Sequence, residues 1–470
     1  MEGQKKRRFS ISAFGVWLGP IILVVAVLSM LYTGRTAENE GPRSKVFLIG
    51  LDGLEWDIAR PLMDQGRMPN LKRLVDEGTA GTLMSRPVTN SPVIWTTIAT
   101  GKKREQHGIV GFFSDAEGQE GRIPYTSADR KVAALWNMVS MENRTVCALG
   151  WWASWPAEEV NGEVVSAFAP YDSRSLFARG VHPGENVERL TYPSELVDQI
   201  TPDMVPMQSI TREDMSRIVN IDDWDHPVFQ NPRFGDAVTF VLPWTMATDQ
   251  SYVNIAKDLM TKNSFDLSMI YIQGTDTMGH RFWSFREDSP RLHDTLVKYD
   301  LYPEEEQRFR DWFGDAIDNY YVLADEWLGE LLQLIDDNTV VIICSDHGFG
   351  GYIGATDPEW VGHTFTGSHR DDGSIVLWGP GIRRGKWLDE NNPPYIWDVA
   401  PTILAVMGLP LGQDFAGQPI LEAFDARFLQ EYHPDFVASY DVNYKAGEKP
   451  ESVPMSAEYE ERLRSLGYIQ

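Results

Sequence analysis

Short, uninterrupted apolar runs recur along the chain from residue 45 onwards. A run without polar alternation predicts a strand buried on both faces, as in a parallel sheet covered by helices. Helical patterns lie between these runs, and one of them covers residues 69–77, with a proline at its start and Gly78 after its end. We predict five strands, which cover residues 45–51, 145–149, 267–272, 339–344 and 374–377.

Two further segments repeat apolar residues at steps of three and four, which predicts helices over 313–335 and 398–407. Strands that alternate with helices predict an α/β fold of three layers, with a mainly parallel central sheet and helices on both faces. The stretch 151–265 breaks this rhythm and is rich in Trp, Pro, Met and Asp. We predict that it is an inserted cap, or lid, over the active edge of the sheet.

The amino terminus follows a different pattern. Residues 9–32 contain no charged side chain, and Lys5, Lys6, Arg7 and Arg8 precede them. At about 1.5 Å per residue, this segment is long enough to span about 30 Å of hydrocarbon. We predict a cytoplasmic basic tail over 1–8, a transmembrane signal anchor over 9–32 and a linker over 33–44, with the rest of the chain outside the cytoplasm. A cleaved signal peptide is the alternative, although its apolar region usually covers only about 7–15 residues.

Composition narrows the classes of function. With 470 residues, of which 43% are hydrophobic, the chain can bury a large core, which excludes a disordered or collagen-like protein. The net charge of −26 argues against a nucleic-acid polymer as a partner. The two cysteines exclude a disulfide scaffold, and they lack the spacing of a thiolate zinc site.

Carboxylates and imidazoles lie at the ends of the predicted strands. In open α/β sheets, ligands bind just beyond the carboxyl ends of the strands. Mixed carboxylate and imidazole ligands suit zinc or manganese, and six of them suit two ions. We therefore predict two divalent cations, Zn²⁺ with Mn²⁺ as the alternative, and the candidate ligands are Asp52, Asp276, His280, Asp346, His347 and His369. His363 competes with His369 for its place in this set.

Ser91 is the candidate nucleophile. It precedes Pro92 and an apolar stretch that ends at Gly101, a pattern typical of a helix N-cap followed by proline at the first helical position. As a cap, Ser91 would have a structural role only. As a nucleophile, it would lie at the positive end of the helix, which favours an alkoxide and an incoming phosphate. The pattern of residues leaves both interpretations open.

Five motifs follow one another along the chain: IGLDG, SPVIWTTIATG, DTMGH, SDHG and GSHRDDGSIVLWGPGI. Together they resemble the alkaline phosphatase superfamily, and within it the type I phosphodiesterase/nucleotide pyrophosphatase branch. The resemblance implies an alkaline phosphatase-like catalytic core over 45–150 and 266–425. The cap over 151–265 would then interrupt this core, and a carboxyl-terminal tail over 426–470 would follow it.

The resemblance also implies a metal-dependent hydrolase of phosphate esters that acts through a phosphoserine intermediate. It assigns the ligands to two metal sites: Asp276, His280 and His369 form one, and Asp52, Ser91, Asp346 and His347 form the other. The implied substrate is a small-molecule, lipid or glycan phosphate ester. The alternatives are an extracytoplasmic transferase of phosphoethanolamine type, a phosphomonoesterase, and an inactive binding protein on the same fold.

Overall fold

The computed structural model describes residues 43–86, 90–115, 122–167, 169, 189–286, 289, 291–351 and 367–447. Within these ranges, no helix combines the length and the apolar character that crossing a bilayer requires. The segment 9–32, in which the membrane anchor is predicted, lies outside the described residues, as do most of the linker 33–44, His363 and the last part of the tail.

The strands of the described residues are β1 (Lys45–Leu51), β2 (Thr79–Met84), β3 (Phe113–Asp115), β4 (Arg122–Pro124), β5 (Val146–Leu149), β6 (Gly162–Val165), β7 (Thr191–Tyr192), β8 (Leu267–Ile272), β9 (Thr339–Cys344), β10 (Gly348–Gly350), β11 (Ser368–Arg370), β12 (Asp372–Trp378), β13 (Lys386–Trp387), β14 (Leu411–Gly412) and β15 (Phe436–Val437).

The α-helices of the same residues are α1 (Trp56–Asp64), α2 (Pro69–Glu77), α3 (Ser91–Thr100), α4 (Arg104–His107), α5 (Leu135–Met141), α6 (Leu196–Ile200), α7 (Arg212–Met215), α8 (Pro232–Asp236), α9 (Leu242–Lys262), α10 (Gly274–Phe282), α11 (Leu292–Tyr299), α12 (Glu306–Phe313), α13 (Ala316–Leu331), α14 (Val399–Val406) and α15 (Ala426–Glu431).

The central sheet has the order β13–β2–β12–β9–β1–β8–β5–β6–β7 in the described part of the chain. Its five middle strands, from β9 to β6, run parallel to one another. Strand β12 runs antiparallel to both of its neighbours, β9 and β2. The sheet is therefore mainly parallel at its centre, which confirms the prediction, and all five predicted strands are present.

Both faces of the sheet are covered, and β1 illustrates why its sequence lacks alternation. Val46 and Leu48 pack on one face with apolar residues of α3, α5 and α14. Phe47 and Ile49 pack on the other face with residues of α1, α2, α9, α10 and α13. Because each face is buried under helices, every position of the strand after Lys45 is apolar. The predicted three-layer α/β fold is thereby confirmed.

The structure departs from the predicted elements in three places. The central sheet contains four strands that were not predicted, β2, β6, β7 and β13. The helix predicted over 313–335 is α13, and it is shorter because Gly314 and Asp315 separate it from α12. The stretch 151–265 contributes β6 to the central sheet and contains α9, a helix of 21 residues. Helix α9 buries side chains around most of its circumference, so its sequence has no one-sided apolar stripe. The role of 151–265 as a lid stays a prediction.

Candidate metal centre

Three strand ends meet at one edge of the sheet. Strand β1 lies between β8 and β9 and runs parallel to both. Asp52 follows β1 directly, Asp276 lies in the first turn of the helix after β8, and Asp346 comes two residues after β9. Parallel pairing of adjacent strands thus brings together three aspartates that are far apart in the sequence.

Asp276, His280 and His369 form the first cluster of ligand atoms, which we call the His280 group. Asp276 Oδ1 lies 3.3 Å from His280 Nε2 and 3.2 Å from His369 Nε2. The two Nε2 atoms are 2.9 Å apart. Zinc bonds of about 2.0–2.1 Å in tetrahedral geometry place neighbouring ligand atoms about 3.3 Å apart. The triangle therefore has the size of three ligands on a single ion.

Asp52, Asp346 and His347 form the second cluster, which we call the Asp52 group. His347 Nε2 lies 3.3 Å from Asp52 Oδ1 and 3.4 Å from Asp346 Oδ2. One ligand atom from each of the three residues fits within 4.8 Å of the others. The two groups adjoin, because His347 Nε2 is only 3.8 Å from Asp276 Oδ1.

The converging atoms have no hydrogen-bond partners among the residues that the structure describes. Asp52 Oδ1, Asp276 Oδ1, Asp346 Oδ2 and His347 Nε2 are all buried, and none of them has a donor or acceptor within bonding geometry in that part of the chain. A buried polar atom without a partner costs about 1–3 kcal/mol. A pair of bound cations would give all four atoms a partner. The residues therefore fit the two predicted divalent ions.

The electrostatics of the centre agree with this fit. Burial, together with the neighbouring Asp346 and Asp276, raises the pKa of Asp52 well above its ordinary value. Burial likewise raises the pKa of Asp346 to about 7. Burial and the adjacent His369 lower the pKa of His347 to about 4, so the ring is neutral and able to ligate. For Asp276, burial opposes ionisation, but His280 and His369 outweigh it and hold the pKa well below the usual range.

Two aromatic side chains that the sequence analysis did not single out hold Asp52. The indole of Trp95 donates to Asp52 Oδ2 at 3.2 Å, and the hydroxyl of Tyr271 donates to the same oxygen. The other oxygen, Oδ1, is the one that faces His347. Such outer contacts orient a ligating carboxylate. In the sequence, only their positions could have identified these two residues, since Trp95 comes one helical turn after Ser91 and Tyr271 is the penultimate residue of β8.

A small two-stranded antiparallel sheet presents His369. It consists of β10 and β11, and Phe349 lies opposite His369 in its register. The carboxylate of Glu55 accepts the backbone N–H of Phe349 at 2.9 Å, which ties this small sheet to the loop after β1. Arg370, the next residue after His369, pairs with Asp372 at 2.9 Å. His369 therefore reaches the centre from an element separate from α10.

Ser91 is the first residue of α3 and is 2% exposed. Asn90, not Ser91, is the N-cap, so the interpretation of Ser91 as a helix cap is wrong. Residues four apart lie on the same face of a helix, so Ser91 shares its face with Trp95, whose indole contacts Asp52. Ser91 thus lies at the start of α3, on the helix face that carries Trp95. Its role as nucleophile and ligand stays a prediction.

The protein is similar to several solved structures of low sequence identity. Alkaline phosphatase PafA is 13% identical in a mutant form, with a TM-score of 0.45 over 82% of this chain and 99% of that one. Human ectonucleotide pyrophosphatase/phosphodiesterase 5 is 13% identical, with a TM-score of 0.41 over 81% and 98%. Phosphonate monoester hydrolase from Silicibacter pomeroyi is 16% identical, with a TM-score of 0.42 over 80% and 76%. No curated protein matches the chain in sequence.

A family model covers most of the chain. Residues 46–356 match the model of type I phosphodiesterase / nucleotide pyrophosphatase. The match contains Ser91, the whole Asp52 group and two members of the His280 group, while His369 lies beyond it. The chain therefore belongs to the type I phosphodiesterase/nucleotide pyrophosphatase family and is a phosphoester hydrolase.

Proposed function

We propose that the protein hydrolyses phosphodiesters or pyrophosphates, with one divalent cation on each ligand group and Ser91 as the nucleophile. The observation that carries this proposal is the junction of the two groups, where Asp276 Oδ1 and His347 Nε2 are 3.8 Å apart. Two-metal hydrolytic sites hold their ions about 3.5–4 Å apart, so adjoining ligand sets of this kind suit them. The ligand chemistry favours Zn²⁺, with Mn²⁺ as the alternative.

The cations, when bound, would lower the pKa of the Ser91 hydroxyl and of a water molecule, and would offset the charge of the phosphoryl group. This also explains how a chain with a net charge of −26 accepts an anionic substrate. The acidic residues elsewhere act weakly at the centre, because salt screens exposed charges beyond about 10 Å.

Ser91 would act in two steps. Its Oγ forms a bond to phosphorus while the bond from phosphorus to the leaving oxygen breaks, and the Ser91 proton passes to that oxygen, which gives a phosphoserine that keeps the second substituent and releases an alcohol or nucleotide. Water then adds to phosphorus, the bond to Ser91 Oγ breaks and a proton of the water restores the hydroxyl, so a phosphate that carries the second substituent is released. The amino end of α3 supports both steps, because its positive end favours negative charge at the phosphate.

The proposed substrate is a small-molecule, lipid or glycan phosphate ester, and the proposed location is the extracytoplasmic side of a membrane. The charge-free segment 9–32 and the basic cluster before it support the location. Fractionation of cells that express the full chain tests it, because a soluble cytoplasmic enzyme would contradict it.

The substitution Ser91→Ala tests the nucleophile. It should lower the rate by at least about 1,000-fold while the zinc content stays at two ions per chain, because the other ligands remain. Thr96→Val is the matched control. Thr96 is also buried in α3, but its hydroxyl donates only to the backbone oxygen of Pro92, so the rate should stay within about threefold of the original. Near-original activity in Ser91→Ala would show that Ser91 is not the nucleophile.

Bis-p-nitrophenyl phosphate and p-nitrophenyl phosphate distinguish the type of ester. A diesterase should hydrolyse the first compound faster, and chelation should stop both reactions. Faster hydrolysis of the monoester would replace the diesterase proposal by a phosphomonoesterase. Turnover that needs an added alcohol acceptor would indicate a transferase instead.

A further inference from the structure

Helix α10, which carries two members of the His280 group, begins on a buried carboxylate from another helix. Asp249 lies within α9 and is 0% exposed. Its Oδ1 accepts the N–H of Gln273 at 3.1 Å, and its Oδ2 accepts the N–H of Gly274 at 2.9 Å. These residues are the N-cap and the first residue of α10, whose N–H groups have no partner within the helix.

A third helix, α13, contacts the same carboxylate. Tyr320 of α13 is 0% exposed, and its hydroxyl donates to Asp249 Oδ2 at 2.8 Å. A Cβ atom on Gly274 would come within 2.1 Å of the Tyr320 ring, so the backbone of α10 lies directly against it. Asp249 and Tyr320 together determine the position at which α10 starts, Asp249 through its hydrogen bonds and Tyr320 through its ring.

Asp276 follows Gly274 by two residues, and His280 lies one turn further along the helix. Their partner His369 comes from β11, so the triangle of ligand atoms closes only when α10 starts at the correct position. We propose that Asp249 is a positioning residue that sets the distance of Asp276 and His280 from His369, and thereby the affinity of the His280 group for its cation. This inference rests on the proposed metal-dependent function.

The chain contains a matched control for this contact. Asp325 of α13 is 2% exposed and accepts the N–H groups of Asn70 at 3.1 Å and Leu71 at 2.7 Å, in the first turn of α2. The arrangement is the same, a buried carboxylate from one helix at the start of another. Helix α2, however, carries no member of either ligand group. Loss of the Asp325 contact should therefore destabilise the start of a helix, as loss of the Asp249 contact does, but it should not change the affinity for the metal.

The experiment compares zinc binding of the full-length protein with that of Asp249→Asn and Asp325→Asn, by titration against a chromophoric zinc chelator. Both substitutions should lower the unfolding temperature. Asp249→Asn should weaken one of the two zinc sites by about 10- to 100-fold and leave the other within about threefold. Asp325→Asn should leave both sites within about threefold. Equal weakening by the two substitutions, or unchanged zinc affinity in Asp249→Asn, would overturn the inference.

Tyr320→Phe provides a second test if Asp249→Asn does not fold. It removes only the hydroxyl donor and keeps the ring against Gly274, so the same zinc site should weaken by about two- to tenfold. Unchanged affinity at both sites in a folded Tyr320→Phe would also count against the inference. Failure of the unaltered protein to bind zinc or manganese would refute the proposed function and the inference together. Two intact sites in Asp249→Asn would refute the inference alone.

Discussion

The molecule buries two clusters of charged side chains, and they differ in how the charge is balanced. In the first, which we call the ion-pair cluster, Lys102 and Arg130 are each 1% exposed. Lys102 Nζ contacts Asp441 and lies 2.6 Å from Asp414, while an Arg130 nitrogen lies 2.5 Å from Glu158. In the metal centre, the ion pairs of Asp52, Asp276 and Asp346 within the described residues are with histidines alone.

The difference shows in the direction of the pKa shifts. For Asp414, burial opposes ionisation, but the hydrogen bond and charge of Lys102 outweigh it and lower the pKa. For Asp52, burial and two neighbouring carboxylates act in the same direction and raise the pKa. A buried carboxylate needs either several hydrogen-bond donors, as Asp249 has, or a cation close by. The ion-pair cluster obtains its cations from the chain itself, whereas the proposed metal centre would obtain them from solution.

The largest effect should come from removal of the divalent ions. Dialysis against a chelator should lower phosphoester hydrolysis by at least about 1,000-fold, because the cations supply most of the electrostatic stabilisation of the reaction. Added Zn²⁺ should restore activity, with two ions bound per chain by elemental analysis. Full activity in protein that contains no divalent metal would show that the metal centre, like the ion-pair cluster, needs no cation from solution.

An intermediate effect should appear in the pH dependence of the metal-free protein. Burial raises the pKa of Asp346 from 3.8 to about 7, so the folded state holds a proton that the unfolded state releases. The resulting stability is present below about pH 4 and is lost as the pH rises through 7. The contribution of Asp346 to the free energy of unfolding should therefore fall by about 2–3 kcal/mol between about pH 5 and 8, measured by urea denaturation with chelator present as the difference between the original protein and Asp346→Asn. His347 acts in the opposite direction below about pH 6.5, because its pKa is lowered to about 4 and the unfolded imidazole holds a proton that the folded one has released.

Two substitutions sharpen this measurement. Asp346→Asn removes the titrating group, so the fall in stability between about pH 5 and 8 should become smaller. Asp414→Asn is the control from the ion-pair cluster, since a lowered pKa affects stability only at acid pH, and the fall should be unchanged. An Asp346→Asn variant with the same pH dependence of stability as the original metal-free protein would contradict the charge imbalance inferred for the metal centre.

The smallest effect should come from Lys102→Met. The substitution leaves two carboxylates without their cation, but the side chains of Asp414 and Asp441 are 31% and 26% exposed and water hydrates them in part. We expect a loss of about 1–2 kcal/mol in the free energy of unfolding, measured by urea denaturation. Zinc stoichiometry and the rate per bound zinc should not change. A loss of zinc in this variant would show that the two clusters are coupled.

The local sequence pattern was sufficient to predict several elements, among them the three strands that lead into the metal centre. Strands β1, β8 and β9 and helix α2 have the bounds predicted for them, because each is a strongly apolar or periodic run between polar residues. The residue types near the strand ends also predicted six candidate ligands, and the structure brings these six side chains together. Local pattern failed where burial is uniform, as in α9, and where neighbouring helices are separated only by Gly314 and Asp315.

The sequence by itself thus determined where these strands lie along the chain and the chemistry at their ends, because both depend on consecutive residues. Only the tertiary structure decided that Trp95 and Tyr271 occupy one oxygen of Asp52, and that Asp249 receives the start of α10. Tyr271 is separated from Asp52 by 219 positions. No local periodicity in the sequence predicts such a contact, because the contact arises from the packing of elements whose sequences are independent of one another.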